Sequence, residues 1–258
     1  MLTLYHFPGA ICAQKVRVCL AEKQLSWESF IATGRLRAPE YLRLNPGGYV
    51  PTLVHDNRVV TESRVINEYL NDAFPEPTLL PSEPYDRARV ALWTKQIDDS
   101  LHLNVFTLSL AAGLLPHFLT MSPEQLEANL PFDITKRERA RDIIGKRMRS
   151  HYVAAALQRF AKLTKDMDTA LQQSTWLVGE TYTLADVDFT PYLQRLEHIG
   201  LASLWADKPA LVRWIGQVRS RPSHVEVLDR WSTPEERTRI AANAQQAASQ
   251  FDALLTSA

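Results

Sequence analysis

Along the chain, the spacing of apolar and polar positions changes character near residue 80. Before it, the pattern switches every ten or so residues. Leu2-Thr3-Leu4-Tyr5-His6-Phe7, closed by Pro8-Gly9, reads as a strand and a turn. From Ile11 to Lys23, Val16, Leu20 and Ala21 recur at helical spacing with Lys15, Arg17 and Glu22 between them, which predicts a helix. Trp27 to Ala32 reads as a second strand. Arg35 to Leu44 is a short charged helix or loop that Asn45-Pro46-Gly47-Gly48 must end. Pro51–His55 and Arg58–Thr61 flank Asp56-Asn57, a pair able to take the positive φ angles of a tight hairpin. Glu62 to Phe74 places Val65, Ile66, Tyr69 and Leu70 on one side of a helix. The order β-α-β-α-β-β-α predicts an α/β domain whose sheet mixes parallel and antiparallel strands.

Residues 74–86 hold four prolines and no helical period, and read as a linker. Beyond it every strong signal is helical. This predicts two domains, residues 1–80 with the mixed sheet and residues 87–258 as an all-α bundle. In the second, Asp86 to about Gly113 reads as one long helix, 114–135 as irregular, and Thr135 to Gln173 as another long helix. Thr183-Leu184-Ala185-Asp186 is a capping box opening a helix to about Glu197. Pro209 and Pro222 sit where prolines open helices, and 234–255 is an alanine- and glutamine-rich helical tail.

Composition narrows the function. The hydrophobic share of 45% suffices for packed cores. Lys+Arg 29 balance Asp+Glu 29, which argues against a dedicated nucleic-acid binder. Two cysteines cannot build a disulfide framework or a four-cysteine zinc site, and the histidines at 102, 117, 151, 198 and 224 show no i,i+4 pairing, so no metal is expected. Met1 to Tyr5 runs straight into a strand pattern with no basic leader, and no uncharged run is expected to reach the ~20 residues that span a bilayer. A cytoplasmic protein is the expectation. The basic run 136–149 reads as a solvated helix face.

Three segments carry chemistry. Pro8 to Arg17 is a strand-to-helix turn with Cys12 at the helix start, where partial positive charge and unpaired amides stabilise a thiolate. An inert buried thiol is the plainer reading. Cys19 lies two turns further along the same helix, about 10 Å away, too far for a disulfide. In Asn45 to Leu53, Pro51 at the start of a strand is a candidate cis peptide, which would turn the backbone of Val50 outward to pair with an extended peptide; an ordinary turn proline is the alternative. Thr61-Glu62-Ser63 could hold a zwitterionic amino-acid head between a carboxylate and a hydroxyl, or simply cap a helix.

In this order and spacing, these segments resemble the thioredoxin-like N-terminal domain of the glutathione transferase superfamily. The resemblance rests on Lys15-Val16-Arg17, on Asn45-Pro46 with Val50-Pro51-Thr52-Leu53, and on Glu62-Ser63. Thr183-Leu184-Ala185-Asp186 in the helical remainder extends it. It implies glutathione as co-substrate, with Val50 and Pro51 on the cysteinyl group and Glu62 and Ser63 on the γ-glutamyl head. Tyr49 stands where the family often has Lys or Gln near the glycine carboxylate, so Arg37 or Arg35 becomes the candidate partner. The usual activating positions hold Phe7 and Ala10, neither of which can act on a thiol, which leaves Cys12 as the catalytic candidate. Its setting is similar to that of zeta-like reductive dehalogenases. Pro8-Gly9-Ala10, with Val59 to Ser63 and Glu68-Tyr69-Leu70, is similar to bacterial glutathione-dependent β-aryl etherases. The resemblance implies a detoxification-type transferase, a homodimer, acting on a hydrophobic aryl ether or haloaromatic. That electrophile would lie between the domains against 86–113 and 136–173, where Phe106, Leu110, Leu114, Phe118 and Tyr152 could line a pocket or form core. A non-catalytic glutathione- or ligand-binding protein, and a maleylacetoacetate-type isomerase, are the alternatives.

Overall fold

The computed structural model describes residues 1–131, 133–229, 231 and 234–256. Four strands, β1 (Leu2–His6), β2 (Glu28–Ile31), β3 (Thr52–His55) and β4 (Arg58–Thr61), form one sheet in the order β2-β1-β3-β4. β1 and β2 are parallel, with Tyr5 opposite Phe30; β1 and β3 are antiparallel, with Leu4 opposite Leu53; β4 returns antiparallel along β3. The mixed sheet is the expected one. Asp56 and Asn57 take φ of 45° and 67°, as their hairpin turn requires.

Helices α1 (Ile11–Glu22), α2 (Pro39–Leu44) and α3 (Ser63–Ala73) complete this thioredoxin-like domain. α1 and α3 pack together, and Leu4, Val16, Leu20, Leu53, Ile66 and Leu70 are fully buried. The proline-rich segment after α3 is pinned. Leu79 is buried, its amide donates to Asn71 Oδ1, and its carbonyl accepts from Leu184 N.

The remainder is helical: α4 (Pro84–Phe118), α5 (Pro123–Asn129), α6 (Ile134–Lys146), α7 (His151–Leu171), α8 (Leu184–His198), α9 (Pro209–Arg219) and α10 (Pro234–Thr256). The chain forms two compact units, one of residues 1–94, 173–192 and 214–233, the other of 95–172, 193–213 and 234–258. In the second, Leu101, Val105 and Leu108 of α4 are buried, as are Leu157, Phe160 and Met167 of α7 and Phe251 of α10. Gly200 there has φ +85°, and a Cβ would stand 2.5 Å from the Ala244 carbonyl, so only glycine lets this turn approach α10.

Three expectations are corrected. The long helix expected over 135–173 is two helices, because Arg147 takes a φ of 57° and Ser150 caps a fresh start, its Oγ accepting from Tyr152 N at 3.2 Å. The stretch expected to be irregular contains α5, opened by a capping box in which Gln125 N donates to Ser122 Oγ and Ser122 N donates to Gln125 Oε1. An uncharged run does reach bilayer length: residues 100–123 carry no Asp, Glu, Lys or Arg, and α4 is long and apolar enough to cross a membrane. Half of its most apolar window is nevertheless buried inside the protein, as in a core helix.

Candidate functional site

Strand register assembles the site. β1 ends beside the start of β3, with Tyr5 opposite Thr52, and β4 ends beside that same start, with Thr61 opposite Thr52. The turn leading to Cys12, the Val50–Pro51 segment and the Glu62–Ser63 segment therefore all emerge at one end of the sheet. β2 ends there too, with Ile31 opposite His6, so the exposed Arg35 and Arg37 follow at that end. The Leu36 carbonyl lies against Gly48, where a Cβ would approach it to 3.2 Å.

Each segment is held from behind by other side chains, of which Tyr41, Gln14, Asn67 and Asp188 carried no signal in the sequence reading. Val50–Pro51 is cis, the first of the two readings the sequence left open for this proline. The carbonyl of Tyr49 accepts from Tyr41 Oη and, at 2.9 Å, from Asn45 Nδ2. Both of those groups also reach Thr52 Oγ1 at 3.0 Å. This closed set fixes the loop while leaving the Tyr49 side chain exposed and Val50 half-buried. Asn45 was visible as a turn residue and as part of the family resemblance, Tyr41 only as part of a charged stretch.

α1 starts at Ile11 after Ala10, which offers no capping side chain, and no acidic residue stands in the first turn. The field of the helix start is thus uncompensated by a side chain there. Cys12 is half-buried, on the second residue of the helix, whereas Cys19 is fully buried, and burial pushes its thiol pKa up. The turn before α1 is secured by Pro8, whose carbonyl accepts from Arg17 Nη2 at 2.9 Å and Gln14 Nε2 at 3.3 Å. Arg17 Nη1 also donates to His6 Nδ1 at 3.0 Å. An arginine can only donate, so His6 carries its proton on Nε2 and gives it to Ser29 Oγ at 2.8 Å. Burial, and then the Arg17 charge, lower the His6 pKa to about 4.

Glu62 is exposed, with φ 66°, a backbone state that non-glycine residues hold only where the surroundings impose it. Ser63 is buried and does not cap α3; its Oγ accepts from Lys15 Nζ at 3.1 Å. Lys15 is itself buried and paired with Asp188 Oδ2 at 3.1 Å, while Asn67 Nδ2 donates to the other oxygen of Asp188. The plain-capping reading of Ser63 is therefore replaced by a role in a buried polar network.

Of the residues expected to line a pocket or form core, Leu110 is core, Leu114 is exposed, and Phe106, Phe118 and Tyr152 are half-buried, Tyr152 beneath the Arg139 guanidinium at 4.7 Å.

The family model "Glutathione S-transferase, N-terminal domain" matches residues 4–78, and "Glutathione S-transferase, C-terminal domain" matches residues 119–222. Protein LigF of Sphingobium sp. (strain NBRC 103272 / SYK-6) is 30% identical over 89% of this chain and 93% of its own. FtsZ-localized protein A of Caulobacter vibrioides is 29% identical over 89% of this chain and 92% of its own. The crystal structure of beta-etherase LigF superposes with a TM-score of 0.78 at 28% identity, covering 89% of this chain and 99% of that one. With both family models matched in order, and a relative 30% identical over 89% of this chain, this chain belongs to the glutathione S-transferase family.

Proposed function

We propose that the protein is a glutathione-dependent transferase that delivers the glutathione thiolate to a hydrophobic aryl ether or haloaromatic. The observation that carries this is the convergence of Cys12, Val50–Pro51 and Glu62–Ser63 at one sheet end, beside a helix start with no side-chain cap. In this reading the outward backbone of Val50, next to Pro51, pairs with the cysteinyl unit. Ser63 Oγ already accepts from Lys15, so its own proton is left to donate to the γ-glutamyl carboxylate, while Glu62 holds the ammonium. Arg37 answers the glycine carboxylate, with Tyr49 beside it. The α1 amides then favour the thiolate over the thiol.

The thiolate attacks the substrate carbon, a C–S bond forms, and an aryl oxide or halide leaves with its electron pair. In a reductive variant, the Cys12 thiolate attacks the glutathione sulfur of a conjugate. A Cys12–glutathione disulfide forms as the carbon leaves as a carbanion and takes a proton. A second glutathione thiolate then displaces the Cys12 thiolate and departs as glutathione disulfide. Calorimetry with glutathione, followed by turnover of aryl ethers, haloaromatics and chlorodinitrobenzene, tests the main reading; absence of glutathione binding ends it. Unchanged steady-state turnover of Cys12→Ser at excess glutathione removes the covalent step alone.

A second reading, a glutathione- or ligand-binding protein without turnover, is favoured by Ala10 at the activator position and by a relative whose name records localisation with FtsZ. Binding without turnover on any of those acceptors would support it. A cytoplasmic homodimer accompanies either reading, and sedimentation tests the dimer.

A further inference from the structure

A cavity of about 320 Å³ opens in the first unit, between one face of α3, the first turns of α4 and the start of α8. That volume lies within the range of small-molecule sites. Its buried floor is short of donors. Asn67 is 1% exposed, and its Nδ2 donates to Asp188, which as a carboxylate can only accept. The amide is thereby fixed, and Asn67 Oδ1 is left buried with no donor among the described residues. Thr94 is also buried and spends its hydroxyl proton on the Ala91 carbonyl at 3.2 Å, so its Oγ1 can only accept. An unpaired buried acceptor is costly, and gains from any donor that reaches it.

The outer part of the lining offers a donor instead. Arg87 is exposed on α4, and no carboxylate among the described residues pairs with it. It precedes Thr94 on that helix by two turns, about 10 Å along the axis. Between these ends the wall is apolar, formed by Val90, Ala91 and Leu184. Two lining charges oppose a ligand that bridges the ends, and both are offset. Arg64 is answered by Glu68, whose Oε1 accepts from its Nε at 2.9 Å, and Asp72 stands exposed to water.

We infer that this cavity binds an extended aliphatic ω-amino acid. The ammonium, which carries three donors and no acceptor, goes to Asn67 Oδ1 and Thr94 Oγ1. The methylene chain lies along the apolar wall, and the carboxylate takes the Arg87 fork. None of these residues is assigned to glutathione, so the inference stands apart from the transferase reading.

The test is calorimetry of the full chain with 6-aminohexanoate, with and without saturating glutathione. Binding is expected, undiminished by glutathione. Hexylamine and hexanoate each lack one charged end. Each should bind at least about tenfold more weakly, the scale of one charge-assisted hydrogen bond. Arg87→Gln changes an exposed side chain, and should weaken 6-aminohexanoate by the same factor while leaving hexylamine unchanged. Thr94→Val keeps the volume and removes the acceptor; it should weaken both amines, with circular dichroism confirming the fold. No binding at millimolar 6-aminohexanoate would overturn the inference. So would equal binding of hexylamine, displacement by glutathione, or indifference to Arg87→Gln. Sedimentation of the same samples adds one more such outcome: binding that is lost where the chain self-associates would mean that another copy fills the cavity.

Discussion

At the scale of single residues, the two cysteines divide by environment. Cys12 is half-buried at a helix start, and Cys19 is fully buried behind it with its pKa raised by desolvation. A thiol reagent should therefore titrate one group quickly in the folded protein and two in denaturant, and Cys12→Ser should abolish the fast phase; a fast phase that survives in that variant would contradict the assignment. His6 makes a second, pH-dependent prediction. Its folded pKa of about 4 lies below the ordinary 6.5, so between these values the unfolded chain binds the extra proton. The stabilisation from neutral His6 is complete above pH 6.5 and is lost as pH falls toward 4. His6→Gln, whose amide can both accept from Arg17 and donate to Ser29, should lose less melting temperature than the parent across that window. Equal slopes for the two proteins would show that His6 titrates normally. None of this was visible in the sequence, where His6 is one polar letter in a strand; the pairing with Arg17 and Ser29 exists only once β1, α1 and β2 are stacked.

At the scale of elements, what could be read depended on whether the signal was local. The strands, the hairpin at Asp56-Asn57 and the helix opened at Thr183 follow from periods and turn chemistry within a few residues, and they appear where expected. The break at Arg147 was missed because a charged, helix-favouring run continues through it. The contacts that close it, Ser150 Oγ to Asp142 and from Tyr152, join residues that a periodicity count treats as one face. The capping box at Ser122 was legible in its Ser-Pro-Glu-Gln letters and was lost among neighbouring prolines. The box at Thr183 does more than start a helix. Asp186 is buried and accepts from Thr183 N, Thr183 Oγ1, Leu177 N and Trp214 Nε1, so burial that pushes its carboxyl pKa up is opposed by four donors. Asp186→Asn would turn an amide N–H₂ against a backbone N–H whichever way it faces, that of Leu177 or that of Thr183. The expected loss is about 2–4 kcal/mol in urea unfolding, well above the ~1 kcal/mol of an ordinary cap. A loss of the smaller size would mean that Asp186 acts as a cap alone.

At the scale of the whole molecule, charge is balanced in total and locally distributed. Residues 1–80 carry eight basic and eight acidic side chains, so an anionic tripeptide meets no general positive field, only helix starts and individual groups. The motif letters that revealed the family turn out to have two kinds of work. Val50, Pro51, Glu62 and Ser63 lie at the sheet end, whereas Lys15 and Arg17, equally diagnostic in the sequence, are buried braces. Sequence spacing shows that such positions matter and cannot show which side of the fold they serve, because that depends on partners such as Asp188, 173 residues beyond Lys15. The Lys15–Asp188 pair allows stability and binding to be separated. Asp188→Ala strands the Lys15 ammonium in the interior and should cost about 3–5 kcal/mol, the range for breaking one side of a buried pair. Replacing both partners, Lys15→Met with Asp188→Leu, removes the stranded charge and should restore most of that stability. It should not restore glutathione binding, because Ser63 Oγ then loses the donor that orients its proton toward the γ-glutamyl carboxylate. Urea unfolding and calorimetry on the same three proteins decide the matter. A double variant with both stability and glutathione affinity at parent levels would show that the Lys15–Ser63 contact has no part in binding. A single variant that loses less than about 1 kcal/mol, the level of a surface pair, would show that Lys15 finds another partner.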